Sequence, residues 1–431
     1  MLKPTIVRRS TACLLCCMLC FSGCSALRYQ EPGPNDSSHL RVLHARLQKD
    51  HTDVLASRDI GAIYLRLNYA ATAGPYITQA YQNLPTDPKT LFYMGLYTEI
   101  EQGMQDALQI YGNYTEVPIT SPYRKMMMGR YAWLSEQLIK SEIKTRIAEE
   151  ASLQTAGVDA AALAIFPLHY IGSNTDYEHL GRAFSELVLA DLAQLSRVKL
   201  VERIRVQTLL DELQLAADGV TDPSVSPRLG KLLGAGNMAG GNINLDHNEA
   251  IKIGFAQWSP DNSDAPAFSD HNGSLQQLMR IEKEVVYTLL NQLGIQLSPE
   301  EREQIEQIPT QNMQAFLAYS RGLGFRDRGL YQMASTAFGE ATTLDPGFTQ
   351  AAAEAARADA LATLGGDADA AIQAANQAAA AAEDGGGDLV GLRMSILSNG
   401  PANAAARQPA AEAVSAQGGI LPAPPSLPNN N

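Results

Sequence analysis

The spacing of apolar residues changes twice along this chain, and those two changes limit what it can fold into. Between residues 53 and 153 apolar side chains recur every three or four positions, as in Ile60, Ile63, Tyr64 and Leu67. That is the period of helices burying one face. Breaks are expected at Gly74-Pro75 and near Pro85 to Pro88. A later helical stretch, 123–150, carries Met126, Met127, Met128, Trp133, Leu138 and Ile143. A methionine run suits an adaptable groove, but at helical spacing it reads as helix–helix core.

From 158 to 297 the pattern is mixed. Short apolar runs at 161–167, 198–203, 238–245 and 250–258 read as strands. Helices are expected over 177–195, 207–215 and 274–293, with a short one ending at Leu233-Gly234, a turn at 219–222 and a polar loop at 259–273. Strands alternating with helices argue for helices packed on one sheet. Helical spacing returns over 308–383. From 384 to 431 the chain is dominated by Ala, Pro, Gly and Asn, with too few large apolar residues to offset ordering entropy, and a disordered tail is expected. The fold class expected is α+β and multidomain: a helical region, a central α/β sheet domain and further helices.

The helical regions resemble tetratricopeptide repeats. In the first, Gly95 stands as the close-packing small residue of one helix, and Ala107 and Tyr111 fall where the repeat places its small and aromatic residues. In the second, Gly322, Phe325, Ala334, Phe338, Ala341 and Pro346 all lie at repeat spacing within one unit of about 34 residues. A looser, alanine-rich unit follows over 349–383. A lone repeat cannot bury its own apolar face, so these helices need a neighbour.

The central block carries a second resemblance. LAIFPLHYIG, VKLVERIRVQTLLDEL and LGKLLGAGNMAGGNI follow the order seen in periplasmic domains of the curli-secretion (CsgG-like) family. The marks are Phe166, Pro167, Val201, Glu202, Arg203, Leu209, Leu210, Glu212, Leu229, Gly230, Gly234 and Gly241. Pore-forming members carry long amphipathic hairpins. A barrel hairpin needs two stretches of about ten alternating residues, and none is read between 242 and 273. The resemblance therefore points to the non-channel members, small outer-membrane lipoproteins that assist assembly machines. CsgG-like proteins often form rings, so the resemblance also implies a homo-oligomer as an option.

All five cysteines (Cys13, Cys16, Cys17, Cys20, Cys24) lie within the first 24 residues. Lys3, Arg8 and Arg9 precede an apolar stretch and then Ser22-Gly23-Cys24, the layout of a signal peptide over 1–23. The apolar core is about half the ~20 residues needed to span a bilayer. Ser-Gly-Cys resembles the lipobox of bacterial lipoproteins, which implies cleavage before Cys24 and acylation of its thiol and amine. Ser25 follows in place of the Asp that retains many lipoproteins in the inner membrane, so the resemblance favours the periplasmic face of the outer membrane. Residues 24–52, with Pro32, Gly33, Pro34, Asn35 and Asp36, read as a tether. Cutting after Gly23 removes three basic residues and no acid, taking the formal charge from −13 to −16. An acidic surface repels phosphate backbones, so nucleic acid is not an expected partner. It also repels anionic lipid, leaving the acyl chains as the membrane contact.

No cofactor, metal or catalytic set is expected. Gly234-Ala235-Gly236-Asn237-Met238-Ala239 matches G-x-G-x-x-A, but the glycines follow a helix and open a strand, the reverse of a dinucleotide site. His169 reads as a solvated loop histidine, and Glu202-Arg203 as an ion pair or cap at a strand end. Asp211 and Glu212 read as a solvated helix face. With Cys24 acylated, no thiol remains as nucleophile or ligand. The functional expectation is a non-enzymatic, lipid-anchored scaffold or adaptor that binds proteins during assembly or secretion of a surface structure. The alternative is a lipoprotein that activates a cell-envelope enzyme such as a peptidoglycan synthase.

Overall fold

The computed structural model describes residues 30–152, 158–215, 225–259 and 267–384. Six helices come first: α1 (Pro34–Lys49), α2 (Val54–Arg66), α3 (Ala70–Asn83), α4 (Pro88–Glu101), α5 (Met104–Tyr111) and α6 (Pro122–Ala148). Side-chain caps set two of the starts. Asp53 accepts from the Ala56 amide ahead of α2, and Asp87 accepts from Thr90 ahead of α4, where Pro88 opens the first turn.

Two expectations are corrected in this region. Residues 34–49, assigned to the tether, form α1, because Leu40 and Leu43 bury on one face among Ile60, Ile63 and Leu67. The break at Gly74-Pro75 falls earlier, at Leu67–Tyr69, where Asn68 takes a φ of +65°. Pro75 lies inside α3, where its ring forfeits one helical hydrogen bond. Gly74 beside it is held small, since a Cβ there would come 2.7 Å from the Tyr97 hydroxyl.

Helices α2, α4 and α6 neighbour one another in one layer, with α3 and α5 packed between successive members. The small-residue contacts read from the sequence are formed. Tyr111 packs on Gly95, and Ala107 and Tyr111 are fully buried. The 27-residue α6 then carries the chain out of this layer. Met126, Met127, Tyr131 and Leu134 sit in the helical core, whereas Ile143 reaches a face of the sheet. The methionines at 126 and 127 are thus core residues.

The central block contains β1 (Asp159–Ile165), β2 (His169–Ile171), α7 (Leu180–Leu192), β3 (Lys199–Leu200), α8 (Arg203–Leu213), α9 (Ser226–Leu233), β4 (Ala235–Leu245), β5 (Ala250–Trp258), β6 (Ala267–Ser274) and α10 (Leu278–Gln292). The strands form one mixed sheet in the order β3-β1-β4-β5-β6, with β2 continuing alongside β4 beyond the end of β1. The β1–β3, β1–β4 and β2–β4 pairings are parallel, and β4–β5–β6 is an antiparallel meander. Alternation divides the strands cleanly. Leu163, Ile165, Ile243, Ile253 and Phe255 face α7 and α10, while Ala164, Met238, Ala256 and Trp258 face α8, α9 and the end of α6.

Three further expectations change here. The strand over 198–203 shrinks to two residues, because α8 begins at Arg203, with Glu202 at its N-cap position making no side-chain cap bond. His169 lies in β2 opposite Asn242 and not in a loop. The polar stretch expected as a loop contains β6, paired residue for residue with β5. One face of β6 rests on α10 and the other meets water, so pairing sustains it without a large buried apolar residue. The turn at 219–222, the signal peptide, Cys24 and the tail from 385 lie outside the described residues.

The chain ends in α11 (Pro299–Ile305), α12 (Met313–Asp327), α13 (Tyr331–Leu344), α14 (Thr349–Leu364) and α15 (Ala368–Asp384). Phe338 packs on Gly322, with Ala334 and Ala341 buried beside it. Phe316, Tyr319, Phe338 and Phe348 belong to the core that also holds α7, α10 and one sheet face. Leu364 at the end of α14 belongs instead to the core of the first six helices, as do Ala371, Ile372 and Ala375 of α15. The two helical regions are therefore one array: α14 packs on α6, and the α/β block enters the chain between them. The whole is a helix-rich α+β structure built on one mixed, six-stranded sheet.

Candidate interaction site

The ionisable residues that could carry chemistry are dispersed. Glu202 pairs with Arg205, Asp211 accepts from Gln207 at 2.8 Å, and Glu212 pairs with Lys144 at 3.3 Å. Arg203 does not pair with its neighbour Glu202 but with Glu186 and Asp327. His179 meets Glu178 at 3.0 Å, while His271 lies near Ser269 and Glu284. Gly234 takes a φ of +71° to end α9, and the residues after it run into β4, so these glycines shape a helix-to-strand turn. Among the described residues no group of three or more His, Cys, Asp or Glu could hold a metal ion. A concavity between β1, α7 and α8, lined by Ile165, Ser185, Leu189, Arg203 and Val206, holds about 10 Å³. That is room for a single water.

Ionic contacts are concentrated where elements from different parts of the chain meet. Asp327, at the end of α12, accepts from Arg203 at 3.0 Å and meets Arg182 at 3.0 Å. Next to it, Arg326 pairs with Glu354 of α14. Burial alone would raise the Asp327 carboxyl, but Arg203, Arg182 and Arg326 hold it down at about 2. Burial would raise the Glu354 carboxyl too, but Arg326, Arg357 and Arg203 together keep it low. This network fastens α7 and α8 of the sheet block to the terminal helices. Sequence spacing gave no sign of it, since its members are up to 172 positions apart, from Arg182 to Glu354.

A second buried charge binds the array to itself. Arg130 of α6 has no exposed surface and pairs with Glu99 of α4. Its Nη1 also donates to the carbonyls of Leu364, Gly366 and Asp367, at 2.7, 3.0 and 3.3 Å. One guanidinium thereby ties α4 and α6 to the turn between α14 and α15. A planar group with five donors suits this role better than an ammonium.

The outer half of the sheet, away from α7 and α10, is open to solvent. Ile171, Asn244, Lys252 and Asn272 lie in one row across four strands, with Asn242 and Asp270 in the next, and all six are exposed. Among the described residues Phe268 is the most exposed of the large apolar side chains, at 71%. It lies on β6, and no strand among the described residues pairs with the outer edge of that strand. Such an edge presents main-chain donors and acceptors to an incoming strand. The layer of α2, α4 and α6 is covered by α15.

No family model, curated protein or solved structure matches this chain.

Proposed function

We propose that this protein is a non-enzymatic adaptor of the outer membrane, anchored on the periplasmic side by acyl chains on Cys24, that binds other proteins during assembly or secretion of a surface structure. The observation that carries this reading is the free edge of β6 beside Phe268, on a sheet whose other face is packed against helices. A partner segment adding to that edge would gain main-chain hydrogen bonds, and Phe268 would supply an apolar contact at its start. The two helical regions, with Gly95 on Tyr111 and Gly322 on Phe338, support a tetratricopeptide-like scaffold. The sheet block supports a CsgG-like domain of the non-channel type.

Anchoring geometry favours assembly at the membrane over long reach. Nine residues, 25–33, separate Cys24 from the first turn of α1, and within them the Gln30 amide donates to the Leu67 carbonyl at 3.1 Å. From Cys24 to Gln30 the chain therefore spans at most about 20 Å. The folded body would stay near its own membrane, which disfavours activation of a synthase across the periplasm.

Crosslinking and pull-down from intact envelopes tests the reading, with Cys24→Ser as control. Components of a surface-assembly or secretion machine are the expected partners, lost together with membrane association in Cys24→Ser. Recovery of a peptidoglycan synthase as the main partner would transfer the proposal to the activator alternative. A Cys24→Ser chain that stays in the membrane fraction would remove the lipid anchor from it.

A further inference from the structure

The main-chain groups that β6 leaves unpaired can be assigned residue by residue. Just beyond its last residue the Leu275 amide donates to the Glu249 carbonyl, and at the other side of β5 the Asp246 amide donates to the Ala250 carbonyl. These two bonds set the phase of the ladder. Bonded and non-bonded pairs alternate along antiparallel strands, so Ser269, His271 and Gly273 turn their N–H and C=O groups toward β5. Phe268, Asp270 and Asn272 turn theirs to the free edge. The same three side chains are exposed on the sheet face away from α10.

Nothing along β6 guards this edge. The strand runs for eight residues in unbroken register with β5, without proline, lysine or a bulge. Its one acidic side chain, Asp270, is answered from β5 by Lys252 at 3.3 Å. Long regular edges of this kind recruit further strands. The sequence of β6 is complementary to itself. In an antiparallel copy centred on His271, Asp270 lies opposite Asn272 of the second copy, whose amide can donate to the carboxylate, with Lys252 next in the row. Phe268 lies opposite Ser274, which has Ala250 as its neighbour on β5, and these two small residues leave room for the ring. The Ser274 amide is taken by the Gln277 side chain at 3.1 Å, which leaves the Ser274 carbonyl to accept from Phe268. About six main-chain bonds result. Other centres fit worse. An axis at Asp270 sets that carboxylate against its own copy, which is destabilising. An axis at Asn272 places Phe268 opposite residue 276, beyond the end of the strand.

We propose that β6 is a self-association site, at which β6 of a second copy adds antiparallel about a two-fold axis at His271 and joins the two sheets into one. The interface is isologous, each copy giving the same strand. This deepens the adaptor reading and rests on it, since it names the segment that adds to the edge. The rows Asn244, Lys252, Asn272 and Asn242, Asp270 then continue across the seam, and other proteins meet a polar face of double width.

The full chain in detergent solution provides the test. At the axis, His271 and its copy form a non-hydrogen-bonded pair with Cα atoms about 4.5 Å apart, within reach of a disulfide. His271→Cys is expected to give a disulfide-linked dimer on mild oxidation, in higher yield than Asp270→Cys or the wild type, which reads any contribution of the N-terminal cysteines. By analytical ultracentrifugation the wild type is expected to be a dimer. Asn272→Pro removes an outward amide and none of the bonds to β5, and should raise the dimer Kd by about tenfold or more. If it loses its native circular dichroism, Asp270→Lys, which sets a second lysine beside Lys252 at the seam, is read in the same way. A monomeric wild type, an unchanged Kd in a folded variant, or equal disulfide yields at 270 and 271 would overturn the proposal. Envelope crosslinking reads the adaptor function separately. A monomer that recovers assembly components would remove self-association alone, and a dimer that recovers none would remove the adaptor reading alone.

Discussion

Tyr111 of α5 packs so closely on Gly95 of α4 that a Cβ at position 95 would lie 2.5 Å from the ring. The same relationship recurs between Phe338 and Gly322, also at 2.5 Å. In an open helix, exchanging Gly for Ala gains about 1 kcal/mol. Here that gain is opposed by overpacking of about 1–3 kcal/mol. Gly95→Ala and Gly322→Ala are therefore expected to lower the denaturation midpoint. Gly339→Ala serves as the control, because it lies in α13 with nothing within 4 Å of the added Cβ, and it should raise the midpoint. Chemical denaturation of the three variants reads the difference. A gain in all three would show that the helix pairs can move apart freely.

Asp327→Asn removes the negative charge among Arg182, Arg203 and Arg326. Breaking one partner of a buried ionic contact typically destabilises by about 3–5 kcal/mol. The carboxyl is held at about 2, below its ordinary value, so its contribution is present above pH 4 and is lost as pH falls through about 2. The wild type should thus exceed the variant in stability at pH 7, and the gap should narrow as the pH approaches 2. A gap independent of pH would mean that the side chain acts by shape alone.

Local features of this fold were legible in the sequence, and long-range ones were not. Gly95, Ala107 and Tyr111, or Gly322, Ala334 and Phe338, show their roles because contact follows from helical period within about 17 residues. β4 and β5 were legible through alternating apolar runs. β6 was hidden because one of its faces meets water and its partner is β5, not a core. The union of the two helical regions was hidden for another reason. Arg130 meets the carbonyls of residues 364–367 across more than 230 positions, and nothing in spacing records such a contact. The alanines of α15 were read as a loose repeat, whereas their smallness suits the face they lie on. The same limit applies to the site: an open sheet edge depends on which strands pair, and pairing is a property of the whole sheet.

Arg130→Met tests that union directly. The substitution retains much of the apolar stem but leaves Glu99, whose side chain is 6% exposed, without its ionic partner and with the Tyr111 hydroxyl at 3.3 Å as its remaining donor. A loss of about 3–5 kcal/mol is expected from the stranded carboxylate. Adding Glu99→Leu should recover part of it, since replacing a buried pair with apolar groups is often neutral. A double-mutant cycle by urea denaturation gives the coupling. Additive losses would place the importance of Arg130 in its main-chain acceptors, with Glu99 a bystander.

Glu282, Asp191 and Lys283 form a buried trio at the contact of α7 with α10. Lys283 lies 2.6 Å from Asp191 and 3.1 Å from Glu282, and Glu282 has no exposed surface. Two carboxylates share one ammonium, so ionising both leaves an excess negative charge away from water. Burial first and the Asp191 charge second push the Glu282 carboxyl up to about 8, while Lys283 opposes them. Burial likewise raises Asp191. Lys283 is held above its usual range: burial alone would lower it, but the two carboxylates prevail. The sign of the pH effect follows. Below the unfolded carboxyl value, near 4.5, both states are protonated. Between there and about 8 the folded state keeps a proton that the unfolded chain has released, so stability falls as pH rises, by at most about 1.4 kcal/mol per pH unit. Glu282→Gln keeps the shape and removes the titration. Relative to the wild type, the variant should gain stability steadily from pH 5 to pH 8 and gain no more above that. Thermal unfolding across this range, with Asp191→Asn as a parallel variant, provides the measurement. A constant difference between wild type and Glu282→Gln would show that Lys283 neutralises the trio without a retained proton.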